Sequence, residues 1–177
     1  DYSGGALDGV PALSICPEVS KTFNGHPGMR IRGASGKRLY PNFRLTNAKL
    51  SKTSLLLEYE DPEIGLTYKA NFRAHKETSV FELSASLTAN TDILVDWFAA
   101  PVLPATQAAQ KMIDFSGHWC REFQKQETDW SIGARLRNNQ TGRTGHEHFP
   151  ALIVRETNCD DNYGSAYAWH YGWSGGH

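Results

Sequence analysis

The side chains that could do chemistry crowd into residues 141–177. The chain reads Thr141-Gly-Arg-Thr-Gly-His-Glu-His-Phe-Pro there, and closes on Ala166-Tyr-Ala-Trp-His-Tyr-Gly-Trp-Ser-Gly-Gly-His177. His146 and His148 stand at i and i+2, which on a strand puts both imidazoles on one face and can suit a metal ion. A third ligand would come from His118, His170, His177 or Cys120. Zinc sites usually show cysteine pairs or histidines at helical spacing. A loop whose imidazoles hydrogen-bond their neighbours is therefore the expected arrangement, with no metal and no other cofactor.

Acid/base hydrolysis of a glycoside needs two carboxylates facing each other across the sugar. Glu122, Glu127, Glu147, Glu156, Asp160 and Asp161 lie near the aromatic half of the chain, and no two of them form such a pair. Asp160-Asp161 reads as a solvated turn, and Glu122 as the ion-pair partner of Arg121. Cys120 sits between Trp119 and Arg121, but neighbours on a strand point to opposite faces. A buried, inert thiol is expected there rather than an activated nucleophile. Sugar binding would use aromatic rings against pyranose faces and Asn, Arg, His or Asp on the hydroxyls. Trp119, Trp169, Trp173, Tyr167 and Tyr171 supply rings, and most are expected in a sandwich core or a domain seam. Trp173, flanked by Gly172 and Ser174-Gly175-Gly176, is expected to be exposed. Asn42-Phe-Arg44, after Tyr40-Pro41, is a further polar pair beside a ring.

The elements that must hold these residues are strands. Leu55, Leu57 and Tyr59 alternate with polar or opposite-face partners, and Asp61-Pro-Glu-Ile-Gly65 reads as a hairpin loop. Leu66, Tyr68, Ala70, Phe72 and Ala74 then alternate with Thr67, Lys69, Asn71 and Arg73 at the strand period of two. After a turn at residues 75–78, Phe81, Leu83, Ala85 and Leu87 repeat the pattern, which completes an antiparallel meander. Ile93 to Pro101 is more uniformly apolar than the strands before it and predicts a strand covered on both faces. Pro104 to Ala109 alone is mildly helical in composition. Ile113 to Phe123, Ala151 to Arg155 and Tyr163 to Trp173 predict the remaining strands, with Tyr167, Trp169 and Tyr171 on one face. Residues 1–36 are rich in turn signals. Many short strands without βαβ alternation predict an all-β, antiparallel β-sandwich.

The totals exclude several classes. A length of 177 residues fits one domain, and 40% hydrophobic with 21% charged residues is ordinary globular composition. A net charge of −1 with scattered Lys and Arg argues against nucleic acid as a partner. The apolar runs are too short to span a bilayer as a helix, so no membrane partner is expected. Three widely spaced cysteines, Cys16, Cys120 and Cys159, are not a disulfide framework. They fit a reducing, cytoplasmic location. Asn139-Gln-Thr141 is formally a glycosylation sequon.

Four segments, in order, resemble landmarks of the amino-terminal domain of glycoside hydrolase family 36 α-galactosidases. They are Asn42-Phe-Arg44, Gly117-His-Trp-Cys-Arg-Glu122, Gly142-Arg-Thr-Gly-His-Glu-His-Phe-Pro-Ala-Leu152 and Trp169-His-Tyr-Gly-Trp-Ser-Gly-Gly-His177. The second is similar to that family's Gly-x-Trp-x-Arg-Glu. The third is similar to Gly-(Arg/Thr)-(Ser/Thr)-(Ser/Gly)-His-x-x-x-Pro, and the fourth to its Trp-Ser-Gly-Asn-His ending. The position matching Asn42 is often Asp in relatives, and Gly176 replaces the usual Asn.

The resemblance implies a large antiparallel supersandwich of the galactose-mutarotase-like type. Residues 1–177 would form that single domain and end at the linker to a (β/α)₈ catalytic barrel. Both catalytic Asp residues of the family lie in the barrel, so the resemblance implies no catalytic residue here and a fragment inactive alone. The parent enzyme would be a retaining glycosidase that removes terminal α-linked galactose from melibiose- or raffinose-type sugars without a metal. Implied partners are the barrel, the galactoside in the full-length enzyme, and other copies in a homo-oligomer. Asn42, Arg44, His146, His148, Trp173 and His177 become candidates for the substrate pocket or the barrel interface. Trp119, Arg121 and Glu122 become structural candidates. The alternatives are a stand-alone carbohydrate-binding module and a domain of a raffinose-synthase-like galactosyltransferase.

Overall fold

In a computed structural model, the described residues are 14–21, 25–131, 133, 135–143 and 145–173. The chain forms two compact units, Asp1–Pro104 and Ala105–His177. The all-β, antiparallel β-sandwich class expected from the sequence is the one observed. No helix among the described residues is long and apolar enough to cross a membrane.

The first unit holds β1 (Met29–Gly33), β2 (Arg38–Leu39), β3 (Arg44–Leu50), β4 (Ser54–Asp61), β5 (Leu66–His75), β6 (Val80–Ala89) and β7 (Ile93–Phe98). They make a three-stranded sheet ordered β2-β1-β7 and a four-stranded sheet ordered β3-β4-β5-β6. The predicted meander is present in register, with Leu57 opposite Ala70 and Ala70 opposite Ala85. Alternation then puts Leu66, Tyr68 and Ala70 on one face, where they pack with Met29 and Ile31 of the smaller sheet. Tyr68 anchors this core, with its ring meeting Phe43, Tyr59 and Phe98 at centroid distances of 5.8, 6.0 and 6.1 Å.

Cys16 joins the same core, and burial pushes its thiol up to about 12. It is an apolar filler, far from thiolate chemistry at neutral pH. The core also pins the Asn42-Phe-Arg44 segment through two buried acids. Asp61 Oδ2 accepts from the Asn42 N–H at 2.8 Å, and Glu18 Oε1 from the Phe43 N–H at 2.7 Å. Phe43 turns inward, while the Asn42 and Arg44 side chains are exposed.

The second unit holds β8 (Ala109–His118), β9 (Arg121–Asp129), β10 (Ala151–Glu156) and β11 (Ala166–His170), in one sheet ordered β11-β10-β8-β9. Its buried hydrophobic side chains are Met112, Ile113 and Val154. Here three expectations need correcting. Residues 104–109 are not helical: a turn closes from the Ala109 N–H to the Thr106 carbonyl at 3.3 Å, and β8 starts at Ala109. Ile113 to Phe123 is not one strand but the end of β8, a two-residue turn and the start of β9. In the first unit, β7 is an edge strand with Leu94, Val95 and Trp97 exposed. Its apolar run reflected β-branched strand composition and not double coverage.

Two stability results follow. Leu66, 2% exposed, is expected to cost about 2–5 kcal/mol on Leu66→Ala, whereas Leu50→Ala at 82% exposure stays within about 0.5 kcal/mol, both read by urea denaturation. The Tyr68 hydroxyl is sealed from solvent and has no hydrogen-bond partner among the described residues. Tyr68→Phe is therefore expected to raise stability by about 1 kcal/mol, since it removes an uncompensated buried polar group.

Candidate functional site

The Gly117–Glu122 segment folds as a hairpin tip with a bulge behind it. His118 pairs with Arg121, so Trp119 and Cys120 form the turn, with Cys120 left-handed at φ 63°. Ser116 pairs with Gln124, which leaves Glu122 and Phe123 together opposite Gly117. A Cβ at residue 117 would strike the Arg121 carbonyl and sit 2.8 Å from Glu122 Cα, so glycine is required there. Phe123 takes φ 57°. Its ring lies stacked on Phe115 at 4.3 Å and 6°.

The bulge delivers Glu122 and Phe123 to the Gly142–Leu152 segment. Phe123 meets Phe149 edge-on at 4.9 Å, and Phe149 meets the His170 ring at 5.6 Å. Ser116 and His148 form an isolated bridge, and the Phe149 N–H donates to the Phe115 carbonyl at 2.9 Å. The Tyr171 N–H donates to the Pro150 carbonyl at 2.7 Å. Three of the four segments singled out in the sequence therefore meet within residues 105–177. Asn42 and Arg44 belong to the other unit, and His177 lies outside the described residues.

Glu122 is not the partner of Arg121. Its Oε1 accepts from the Cys120 N–H at 3.1 Å and faces His146 Nε2 at 3.6 Å. Its carboxyl is held below the ordinary value, mainly by its own backbone N–H and then by the Cys120 N–H, with lesser pulls from His146 and His118; desolvation opposes them. Cys120 is exposed at the turn and not buried as expected, because the turn, rather than strand alternation, sets its direction. Trp119 stands 72% exposed at the hairpin tip and Trp173 57% exposed beyond β11.

The imidazoles of the His146-Glu-His148 segment share no partner among the described residues. His146 faces Glu122, the Glu147 carboxylate accepts from the Gln140 N–H at 2.9 Å, and His148 Nδ1 is sealed without a partner. Among the described residues no three His, Cys, Asp or Glu side chains come together around a metal position. The residue that shapes this loop escaped sequence reasoning. Asn139, 0% exposed, donates to the Arg143 and His148 carbonyls at 2.8 and 3.2 Å and accepts from the Thr141 N–H at 3.1 Å. Asp114 was also missed. It is buried and paired with Arg137, and a charge in the apolar run Met112-Ile-Asp-Phe115 was the available signal.

A depressed carboxyl pKa adds stability above the unfolded value near 4.5 and loses it as pH falls through the folded value. Glu122→Gln is therefore expected to lower the melting temperature slightly at pH 7. The gap to the parent should close as pH falls through the depressed folded-state value, below which the carboxyl is protonated in the folded and the unfolded chain alike. A gap that persists at acid pH would assign the loss to packing instead of charge.

Residues 6–177 match the glycosyl hydrolase family 36 N-terminal domain. The chain is 30% identical over 177 residues to an α-galactosidase of Escherichia coli, covering 99% of this chain and 25% of that protein. Among solved structures, a variant of the Geobacillus stearothermophilus α-galactosidase AgaA in complex with stachyose superposes with a TM-score of 0.80 at 17% identity, over 91% of this chain and 25% of that one. The Lactobacillus brevis α-galactosidase gives 0.75 at 19% identity, over 91% and 24%. At such identities these structures speak to the fold, and the chain spans about a quarter of its curated relative's length. With the family's domain matched along almost every residue, the chain belongs to the glycosyl hydrolase family 36 N-terminal domain family.

Proposed function

We propose that this chain is the non-catalytic N-terminal domain of a retaining α-galactosidase that removes terminal α-linked galactose from melibiose- or raffinose-type sugars. The observation that carries the reading is the domain match over residues 6–177, joined to coverage of only a quarter of an α-galactosidase. Four carboxylates among the described residues support it from the chemical side. Asp96 is held by Arg32, Asp114 by Arg137, Asp129 by Lys111 and Asp161 by Arg155. Each of these serves a structural ion pair and is not poised across a sugar.

In this reading the domain buttresses the barrel and frames the mouth of its active site. Asn42, Arg44, His146, His148, Trp173 and His177 face the pocket or the barrel, and the domain takes part in homo-oligomer formation. The exposed rings of Trp119 and Trp173 support an interface role, since large exposed aromatics at polar margins are favoured contact residues. A cytoplasmic setting is supported by the free state of Cys16, Cys120 and Cys159.

The purified 177-residue chain is expected to release no chromophore from a nitrophenyl α-galactoside over long incubation. Turnover that survives further purification would overturn the non-catalytic assignment.

A further inference from the structure

The first unit carries a cavity that the hydrolase reading does not use. β2 pairs with β1 only where Leu39 stands opposite Ile31 and Arg38 opposite Arg32. Beyond Leu39 the chain leaves the ladder, and Met29, Arg30, Tyr40 and Pro41 line a cavity of about 300 Å³. That volume is at the lower end of small-molecule sites. The charged groups of the lining are Glu18, Arg30, Arg38 and Asp96, and Val19, Pro27 and Leu39 belong to its apolar part.

Both acids are already taken. Arg32 Nε and Nη2 donate to Asp96 Oδ2 and Oδ1 at 2.7 and 2.6 Å. Glu18 Oε2 faces Lys21 Nζ at 2.8 Å, and its Oε1 accepts from the Phe43 N–H. Neither Arg32 nor Lys21 lines the cavity. Among the described residues, Arg30 and Arg38 have no carboxylate within ion-pair distance. Arg30 Nη2 donates to His26 Nε2 at 2.9 Å, which uses one of its five N–H groups. Two carboxylates thus answer Lys21 and Arg32, and the uncompensated positive charge rests on the two arginines of the lining.

Strand geometry brings these two together. Arg38 is opposite Arg32, and Arg30 precedes Arg32 by two residues, so all three share one face of the sheet. Arg30 and Arg38 are then diagonal neighbours, a relation that sets Cα atoms roughly 7–8 Å apart and within reach of long side chains. Asp96 feels both. Its carboxyl is held below the ordinary value first by the hydrogen bond from Arg32; desolvation opposes this, and the charges of Arg32, Arg38 and Arg30 add to the pull. A neutral occupant would leave both guanidinium groups unanswered, and a carboxylate would answer one charge. A phosphomonoester approaches two negative charges at neutral pH and offers three acceptor oxygens. The apolar part of the lining suits an organic group on its ester oxygen.

We propose that this cavity binds small phosphomonoesters, with Arg30 and Arg38 on the phosphate and the organic group against Leu39, Tyr40 and Pro41. The site is independent of the hydrolase reading, because binding is read without turnover.

Phenyl phosphate titrated calorimetrically into the 177-residue chain at neutral pH and low salt is expected to give saturable heat. Inorganic phosphate is expected to bind more weakly, and benzyl alcohol not at all. Arg30→Gln and Arg38→Gln are each expected to weaken phenyl phosphate about fivefold, the scale of one solvent-exposed ion pair. Both side chains are exposed, so both variants should fold as the parent does. Arg73→Gln removes the same charge from β5 and should leave binding unchanged. The proposal is overturned if phenyl phosphate gives no saturable heat, if Arg38→Gln binds it as the parent does, or if Arg73→Gln loses as much as Arg38→Gln. Inorganic phosphate or benzyl alcohol binding as tightly as phenyl phosphate would overturn it equally.

Discussion

The architecture of residues 105–177 depends on a missing methylene carbon at Gly117. Because residue 117 has no Cβ, two residues of β9 can stand opposite it, and the second of them, Phe123, adopts a left-handed backbone. That conformation costs a non-glycine residue about 1–2 kcal/mol. The stack on Phe115 and the edge contact with Phe149 each return roughly 0.5–1.5 kcal/mol beyond their buried area. The two ring contacts together are of the size needed to offset that cost, so the hairpin and the Gly142–Leu152 segment stabilise each other. Their coupling explains why segments far apart in sequence behave as one assembly.

The first unit solves a different problem. Its two sheets share a small core centred on Tyr68, and two buried carboxylates, Glu18 and Asp61, tie the Asn42-Phe43 backbone to it. Backbone capture of this kind leaves neighbouring side chains free for outward use, and Asn42 and Arg44 are so placed. The edges are handled conservatively. β9 is exposed at every residue and carries Arg121, Glu122, Lys125, Glu127 and Asp129, a charge pattern that discourages pairing with stray strands.

Much of the fold was legible because period-two alternation in β4, β5 and β6 is a direct imprint of one buried face. The errors came where alternation is silent. Cys120 and Phe123 owe their directions to positive φ values, which side-chain types do not announce outside glycine, Asn and Asp. β7 is as apolar as a covered strand yet lies at an edge, since composition reports strand tendency and not neighbours. For the candidate site, the segments were visible as residue clusters, but their convergence through Phe115, Phe123 and Phe149 was not. Ring contacts across a bulge depend on a one-residue shift in register, and no spacing rule encodes that.

Asn139 bears on how this protein can be made. Its side-chain nitrogen, the atom to which an oligosaccharide is attached in an Asn-x-Thr context, spends both hydrogens on the Arg143 and His148 carbonyls inside the closed loop. Glycan transfer precedes folding in the eukaryotic secretory route, so a sugar tree there would take one hydrogen and demand space where the residue is fully enclosed. Produced by that route, the chain would be left with an open loop and without the seat of His146 and Phe149. A host that leaves asparagine unmodified, or an Asn139 context broken at Thr141, avoids the conflict.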